Sequence, residues 1–300
     1  MVPVALGVTI LVFFLVHLVP GDPARTMLGV RATDRAVAIL HHKWGLDQPL
    51  LNQYLLFMGR LVHGDLGDSL FYRVPTTTLI AGRLPVTLLL LFYAAVLSVL
   101  ISVPVATLAA THKNGLIDQV VRAIPLVGLG MPTFWVGIML IVLLGLQLRL
   151  FPVGGYGEDL PGHLYSMFLP GLTVAIAIAP LLIRSLRASM LQVLDSEYVA
   201  TARSKGLSET RVLLRHVLRN AAIPTVTVLG VNIGFLVGGT LIVENVFALP
   251  GIGNLMIVSI FDRDFPVVQG VTLVFGVLVV LVNLTTDMTY SLLDPRVRFD

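Results

Sequence analysis

Long apolar runs, each bounded by charge, glycine or proline, dominate this chain. A helix needs about 20 mostly apolar residues to cross a bilayer. Six stretches meet that measure: 2–19, 85–110, 123–148, 165–183, 222–243 and 267–289. Between the first two, Thr33 to Leu46 and Leu50 to Leu61 carry apolar residues at helical spacing. The cluster Gly64-Asp65-Leu66-Gly67-Asp68-Ser69 then has the composition of a turn. The pattern predicts an all-α integral membrane fold with about six transmembrane helices and a small external helical cap. The first run lacks a basic region before it and an A-x-A cleavage site after it, and Pro20-Gly21-Asp22-Pro23 follows directly. It therefore reads as a retained span and not as a removed signal peptide. A basic leader normally precedes such a helix, so the chain is expected to begin a few residues late.

Composition supports this reading. The mean hydropathy is +0.91, with 56% apolar and 12% charged residues, far from a soluble globular chain. The chain has no cysteine, which excludes disulfides, thiolate chemistry and cysteine metal sites. The net charge of +3 arises from basic residues clustered in particular loops, so it bears on topology and not on nucleic-acid binding. Lys113 and Arg122 fall in loop 111–122, seven basic residues in 184–219, and Arg296 and Arg298 in the tail. These regions are expected in the cytoplasm, with both termini. The opposite loops are balanced: Arg149 against Glu158 and Asp159, and Arg263 between Asp262 and Asp264. Segment 20–84 also holds seven basic residues, but it is long enough for the charge rule to weaken. The expected division is a first transmembrane helix at 1–19, an external helical segment at 20–84, a five-helix core at 85–293 enclosing a cytoplasmic loop at 186–221, and a cytoplasmic tail at 294–300.

The charged island from Glu197 to Pro224 carries Arg203, Lys205, Arg211, Arg215 and Arg219. Asp195 or Ser196 is placed to cap a short helix, with Glu197 in its first turn where negative charge suits the dipole. Gly206 is expected to end that helix in a left-handed conformation. Ser208 and Glu209 open a second helix, on which Arg211, Arg215 and Arg219 form one basic stripe. Pro224 falls at the start of span five, where proline is tolerated. A solvated loop explains the arginine stripe equally well; the compact turn at Gly206 favours a docking element. In the spans, Gly230, Gly234, Gly238 and Gly239 follow small-residue spacing, which serves close packing or a pathway that slides.

Ala200-Thr201-Ala202-Arg203-Ser204-Lys205-Gly206 resembles the EAA loop of ABC importer permeases, the membrane subunits of ATP-driven uptake systems. Glu197-Tyr198, Leu207-Ser208, Arg215-His216 and Leu218-Arg219-Asn220-Ala221 extend the resemblance to the dipeptide and oligopeptide branch. Pro20-Gly21-Asp22-Pro23, Gly45-Leu46-Asp47-Gln48-Pro49, Arg83-Leu84-Pro85, Pro250-Gly251-Ile252-Gly253 and Leu293-Asp294-Pro295-Arg296 resemble the first permease of such systems. Thr201, where alanine is common, and Arg219, near the usual proline, depart from the general consensus. The resemblance implies a type I ABC importer transmembrane domain in a bacterial plasma membrane. Glu197, Ala200, Ala202, Arg203, Lys205, Gly206, Leu207 and Ser208 would then meet an ATPase, with Leu207 as an apolar anchor. The implied partners are a second permease (a heterodimer), two ATP-binding cassette subunits and an extracytoplasmic substrate-binding protein.

The chain itself holds no G-x-x-x-x-G-K-[ST] phosphate loop, so ATP and Mg are expected to be used by the partner ATPase. It also has no H-E-x-x-H or G-x-S-x-G constellation, so neither a catalytic site nor a metal site is expected. Asn232, Gly238, Glu244 and Asn245 of span five are the candidate lining of a translocation pathway, since polar groups in a bilayer are costly. Asn283 and Asp287 mark span six, Asp287 as a cap or ion-pair partner near its inner end. His17, Trp44 and Trp135 read as packing or interface residues, and His41-His42 as a poor metal pair. Peptide is the expected substrate, with nickel complexes, glutathione or sugars as the alternative. A self-sufficient secondary transporter would require inverted repeats and broken helices with ion-binding residues, neither of which this sequence is expected to hold, and a non-transport scaffold leaves the polar, glycine-rich span five without a use.

Overall fold

A computed structural model describes residues 2–18, 23–28, 32–128 and 130–293. Pro20, Gly21 and Asp22, the tail with Arg296 and Arg298, and the side chains of His17, Trp44, Pro125 and Asp287 lie outside the described residues. The described residues are helical, with one isolated bridge between Asp68 and Pro75. They divide into two compact units, one made of 1–87 with 250–278, the other of 88–249 with 279–300. Among the described residues four helices are long and apolar enough to cross a bilayer: Thr76–Thr111, Phe168–Leu194, Glu209–Gly234 and Phe265–Thr286.

The first unit begins with α1 (Val2–Leu18), α2 (Pro23–Leu28), α3 (Asp34–Trp44) and α4 (Leu50–Val62). Thr33 caps α3 by accepting from the Ala36 N–H at 3.3 Å, and Gly45 closes it at φ 70°. The start of α5 (Thr76–Thr111), α13 (Ile252–Phe261) and the start of α14 (Phe265–Leu293) complete the unit. Ile80, Ile252, Leu255, Val267 and Val271 form one buried core cluster within it. The Thr87 hydroxyl accepts from the Ile252 N–H at 3.0 Å, covering one orphan donor of α13.

The 64–75 turn is held by one buried carboxylate. Asp264, fully buried, accepts from the Ser69 hydroxyl, from the Leu70 N–H at 3.0 Å and from the Phe71 N–H at 3.2 Å. Asp264→Ala leaves three donors unsatisfied, at a cost of about 1–3 kcal/mol. Amide exchange across 69–73 is expected to accelerate roughly tenfold or more, while Asp264→Asn, which keeps an acceptor, changes it less. Unaltered exchange in the alanine variant would show that the turn holds without this carboxylate.

The second unit is built around α9 (Phe168–Leu194), whose most apolar window is 67% buried. Against it pack α6 (Leu116–Gly128), α7 (Thr133–Leu140) with its π-helical continuation Ile141–Gln147, α8 (Leu160–Ser166) and α12 (Arg219–Val246). Small residues allow the close approaches. A Cβ at Gly171 would lie 2.6 Å from Tyr93, and one at Gly230 1.9 Å from the Thr286 hydroxyl.

Four boundaries differ from expectation. The run 123–148 is interrupted: α6 ends at Gly128, and α7 starts after Pro132, which is extended (φ −60°, ψ 135°). Glycines at 128 and 130 weaken the helix there, and Pro132 bars the residue before it from helical geometry. The helix expected from residue 85 begins at Thr76 and runs through Pro85. Stretch 246–266, read as a loop, contains α13, because Ile252, Leu255 and Ser259 bury one helical face. Span five does not start at Pro224, because helix runs without a gap from Glu209 through Val246.

Candidate coupling elbow

The island folds as two helical arms. The first is α10 (Glu197–Ser204); the second is α11 (Glu209–Arg211), continuing through π-helix Val212–Leu218 into α12. Ser196 and Ser208 occupy the extended cap positions, but neither side chain makes a capping bond. The Ser196 hydroxyl donates instead to the Val193 carbonyl at the end of α9. Asp195 lies 3.5 Å from the Lys113 ammonium.

Between the arms, Gly206 has φ +77°. Its N–H donates to Arg203 O at 2.9 Å, and the Leu207 N–H to Ala202 O at 3.4 Å, the pattern of a Schellman ending. No atom lies within 4 Å of the place a Cβ would occupy at Gly206. Glycine is required there for conformation alone, which costs an L-residue roughly 1–2 kcal/mol.

Burial divides the eight expected contact residues. Ala202 is buried and Leu207 half-buried, both packed with Val199, Val212 and Val217. The same cluster contains Ala106, Ala109 and Ala110 of α5, Val121 of α6, and Ile183, Leu186 and Met190 of α9. Leu207 thus staples the elbow to its own helices. Glu197, Ala200, Arg203, Lys205, Gly206 and Ser208 are exposed, as are Arg211, Arg215 and Arg219.

From the sequence Glu209 was read only as suiting the start of the second helix, yet its carboxylate bridges the arms: Arg203 Nε reaches Oε1 at 2.9 Å and Nη2 reaches Oε2 at 3.2 Å. A second tie runs from the Asn220 amide to the Tyr198 hydroxyl at 3.2 Å and to the His216 carbonyl at 2.7 Å. Lys205, at the turn, has no ion pair among the described residues.

Behind the elbow, Asp118 of α6 is fully buried. It accepts from Arg187 Nη2 of α9 at 2.7 Å and from the Asn114 N–H at 3.0 Å, with Arg122 Nε at 3.7 Å. The Arg187 hydrogen bond, aided by the Asn114 amide, holds this carboxyl below its ordinary range against the opposing effect of burial. Sequence reading missed the pair because its members are 69 residues apart, with no local spacing to betray them.

The four pathway candidates do not form one surface. Gly238 and Asn245, seven residues apart, share an exposed face of α12, whereas Glu244 is fully buried. Asn232 is half-buried, and its amide donates to the Val228 carbonyl at 2.7 Å.

These features describe a helical membrane component with an exposed, glycine-turned elbow welded to one of its long helices. Residues 102–299 match the family of binding-protein-dependent transport system inner membrane components, and residues 1–91 match the N-terminal region of the same class. The chain belongs to this family. It is 38% identical over 304 residues to the oligopeptide transport system permease protein AppB of Bacillus subtilis, covering 99% of this chain and 96% of that protein. A putative peptide transport system permease protein of Brucella abortus is 40% identical over 302 residues, covering 100% and 96%. The glutathione transport system permease protein GsiC of Escherichia coli O6:H1 is 38% identical over 299 residues, with the same coverage. Among solved structures, a chain of the MetNI methionine ABC transporter in an inward-facing form shares the fold. Its TM-score is 0.60 at 16% identity, over 72% of this chain and 96% of that one. The break before Pro132 departs from the expected lack of broken helices and is a feature a secondary transporter would also show, but family membership decides between the two readings.

Proposed function

We propose that this chain is one of two permease subunits of an ATP-driven peptide importer. It forms half of a pore that alternates between inward- and outward-open states. The elbow carries the reading: it exposes Glu197, Ala200, Arg203, Lys205, Gly206 and Ser208 while its apolar side seats in the helices behind. Those exposed residues meet a cytoplasmic ATP-binding cassette subunit, and motion of that subunit passes through the second arm into α12. Both termini lie in the cytoplasm, and an extracytoplasmic binding protein delivers substrate. Only 17% of the apolar window of Glu209–Gly234 is buried within this chain, so that helix offers surface to a second permease or to lipid. Relatives named for oligopeptide, peptide and glutathione transport, the last ligand itself a tripeptide, support a peptide substrate.

The test is reconstitution of this chain with its second permease and ATPases in vesicles, with uptake of labelled di- to pentapeptides delivered by the binding protein. Uptake is expected to require ATP, Mg and both ATPase subunits. Uptake by this chain alone, driven by an ion gradient, would overturn the reading.

A further inference from the structure

The thirteen residues of α4 divide into three arcs. The first turns to α1: the rings of Tyr54 and Phe57 lie 5.4 and 6.1 Å from that of Phe13, and the Tyr54 and Thr9 hydroxyls are 2.9 Å apart. Beside it runs a second apolar arc, Leu51, Leu55, Met58 and Val62, at i, i+4, i+7 and i+11. Leu51, Leu55 and Val62 are bare, with exposures of 69%, 58% and 78%. The third arc carries the polar side chains of α4, with the exposed Leu56 between them, and its groove reaches Leu55 of the second arc. Asn52 and Arg60 line an open groove with His42 and Gln48, and the Gln53 amide donates to the carbonyls of Leu46 and Gln48 at 3.1 and 2.8 Å.

The partner of the first arc fixes the depth of the second. Phe13 stands five residues before Leu18, where α1 ends, and Thr9, reached by the long Tyr54 side chain, stands nine before it, rises of about 7.5 and 13.5 Å. Helices lying in a bilayer surface sink their apolar face by about 5–10 Å. The neighbouring surface of α1 is exposed and apolar as well, through Leu6, Ile10 and Leu11. Both ends of α4 are polar, with Asp47-Gln48-Pro49 before it and His63-Gly64-Asp65 after it. Its uncovered stripe is aliphatic, without the aromatic or arginine anchors that concentrate binding energy at protein contacts.

We propose that α4 lies in the plane of the membrane, with Leu51, Leu55 and Val62 inserted among the acyl chains of the outer leaflet. The helical segment 20–84 is then in part a lipid-bound collar around α1 and not wholly an external cap. This rests on the reading of α1 as a membrane span.

The chain holds no cysteine of its own, so each introduced cysteine is labelled uniquely on it before assembly with its partners. Single nitroxide-labelled cysteines are placed at Leu51, Leu55 and Val62, at Asn52 on the polar arc, and at Leu6 and Ile10 of α1. The assembled importer is studied in phosphatidylcholine–phosphatidylglycerol nanodiscs. Collision with oxygen, which concentrates in acyl chains, is compared with collision with a water-soluble nickel chelate. Leu51, Leu55 and Val62 are expected to show an oxygen-to-nickel ratio several-fold above that of Asn52 and close to that of Ile10. Low collision with both reagents would mean a protein covers the stripe, and high collision with nickel would mean water does; either result overturns the proposal. Nickel accessibility at Leu6 and Ile10 would instead remove the spanning role of α1, a failure distinct from a wet α4 beside a lipid-facing α1.

Discussion

Reversing the charge of Lys205 together with blocking the turn by Gly206→Asp is expected to abolish ATP-driven uptake and to release the ATPase, while the chain remains inserted in the membrane. The elbow exposes few groups, so each variant disturbs a separable property. Lys205→Glu leaves the fold alone, since its side chain is exposed and makes no ion pair among the described residues. Set against a surface that had met a cation, the new like charge costs about 3 kcal/mol, roughly a hundredfold in ATPase affinity. Gly206→Asp acts through the backbone. With nothing within 4 Å of the added Cβ, its cost is the strain of a side chain at φ +77°. A small change in turn geometry redirects both arms.

Arg203→Glu is the less selective probe. It would oppose Glu209 at the position where Arg203 now makes two hydrogen bonds, so it opens the elbow as well as changing its charge. Co-purification of the ATPases with tagged chain, measured beside uptake and membrane content, separates these effects. Full uptake in the Lys205→Glu, Gly206→Asp double variant would dismiss the elbow as the coupling element.

The elbow's turn was legible because its cause is local. A glycine at the end of a short helix took the left-handed conformation, as Gly45 did after α3, where Thr33 also supplied the cap. Hydropathy located the apolar helices for the same reason, but it did not say which prolines break them. Pro85, Pro180 and Pro224 lie inside unbroken helices, whereas Pro132 begins a new one. The difference lies in the neighbours: Gly128 and Gly130 precede Pro132, each lowering helix stability by about 1 kcal/mol. The bonds between segments distant in sequence were hidden for another reason. Asp264 entered the charge balance of a loop, yet its carboxylate is buried against residues almost two hundred positions away. The resemblance implied Leu207 as an apolar anchor for a partner, whereas packing sets it against the core of its own chain. The four candidates in span five remain a proposal drawn from polarity in an apolar run, and their burial does not unite them.

Asp118→Asn is expected to destabilise the helices behind the elbow by about 2–3 kcal/mol, because it leaves Arg187 without its counter-charge. Arg187 keeps 17% of its side-chain exposure, which places the cost at the lower end for a broken buried pair. Arg122, at 3.7 Å and half-exposed, contributes little. Replacing both partners, Asp118→Asn with Arg187→Met, should cost less than the sum of the single changes, since no unpaired charge is left behind. The thermal midpoint of the purified chain in detergent measures each corner of this cycle. Acidity provides an independent check. Asp118, in the first turn of α6, falls within the 111–122 segment expected on the cytoplasmic side, and its folded-state pKa is lowered, chiefly by the Arg187 hydrogen bond. The unfolded chain therefore takes up the proton first. The pair's contribution is complete above the ordinary aspartate value of about 4 and fades as pH falls through the lower folded value. The difference in midpoint between native chain and Asp118→Asn should hold constant from neutrality down to about pH 5 and narrow only below about pH 4. A difference that already closed near neutral pH would mean that the carboxylate is not held by Arg187 in the folded protein.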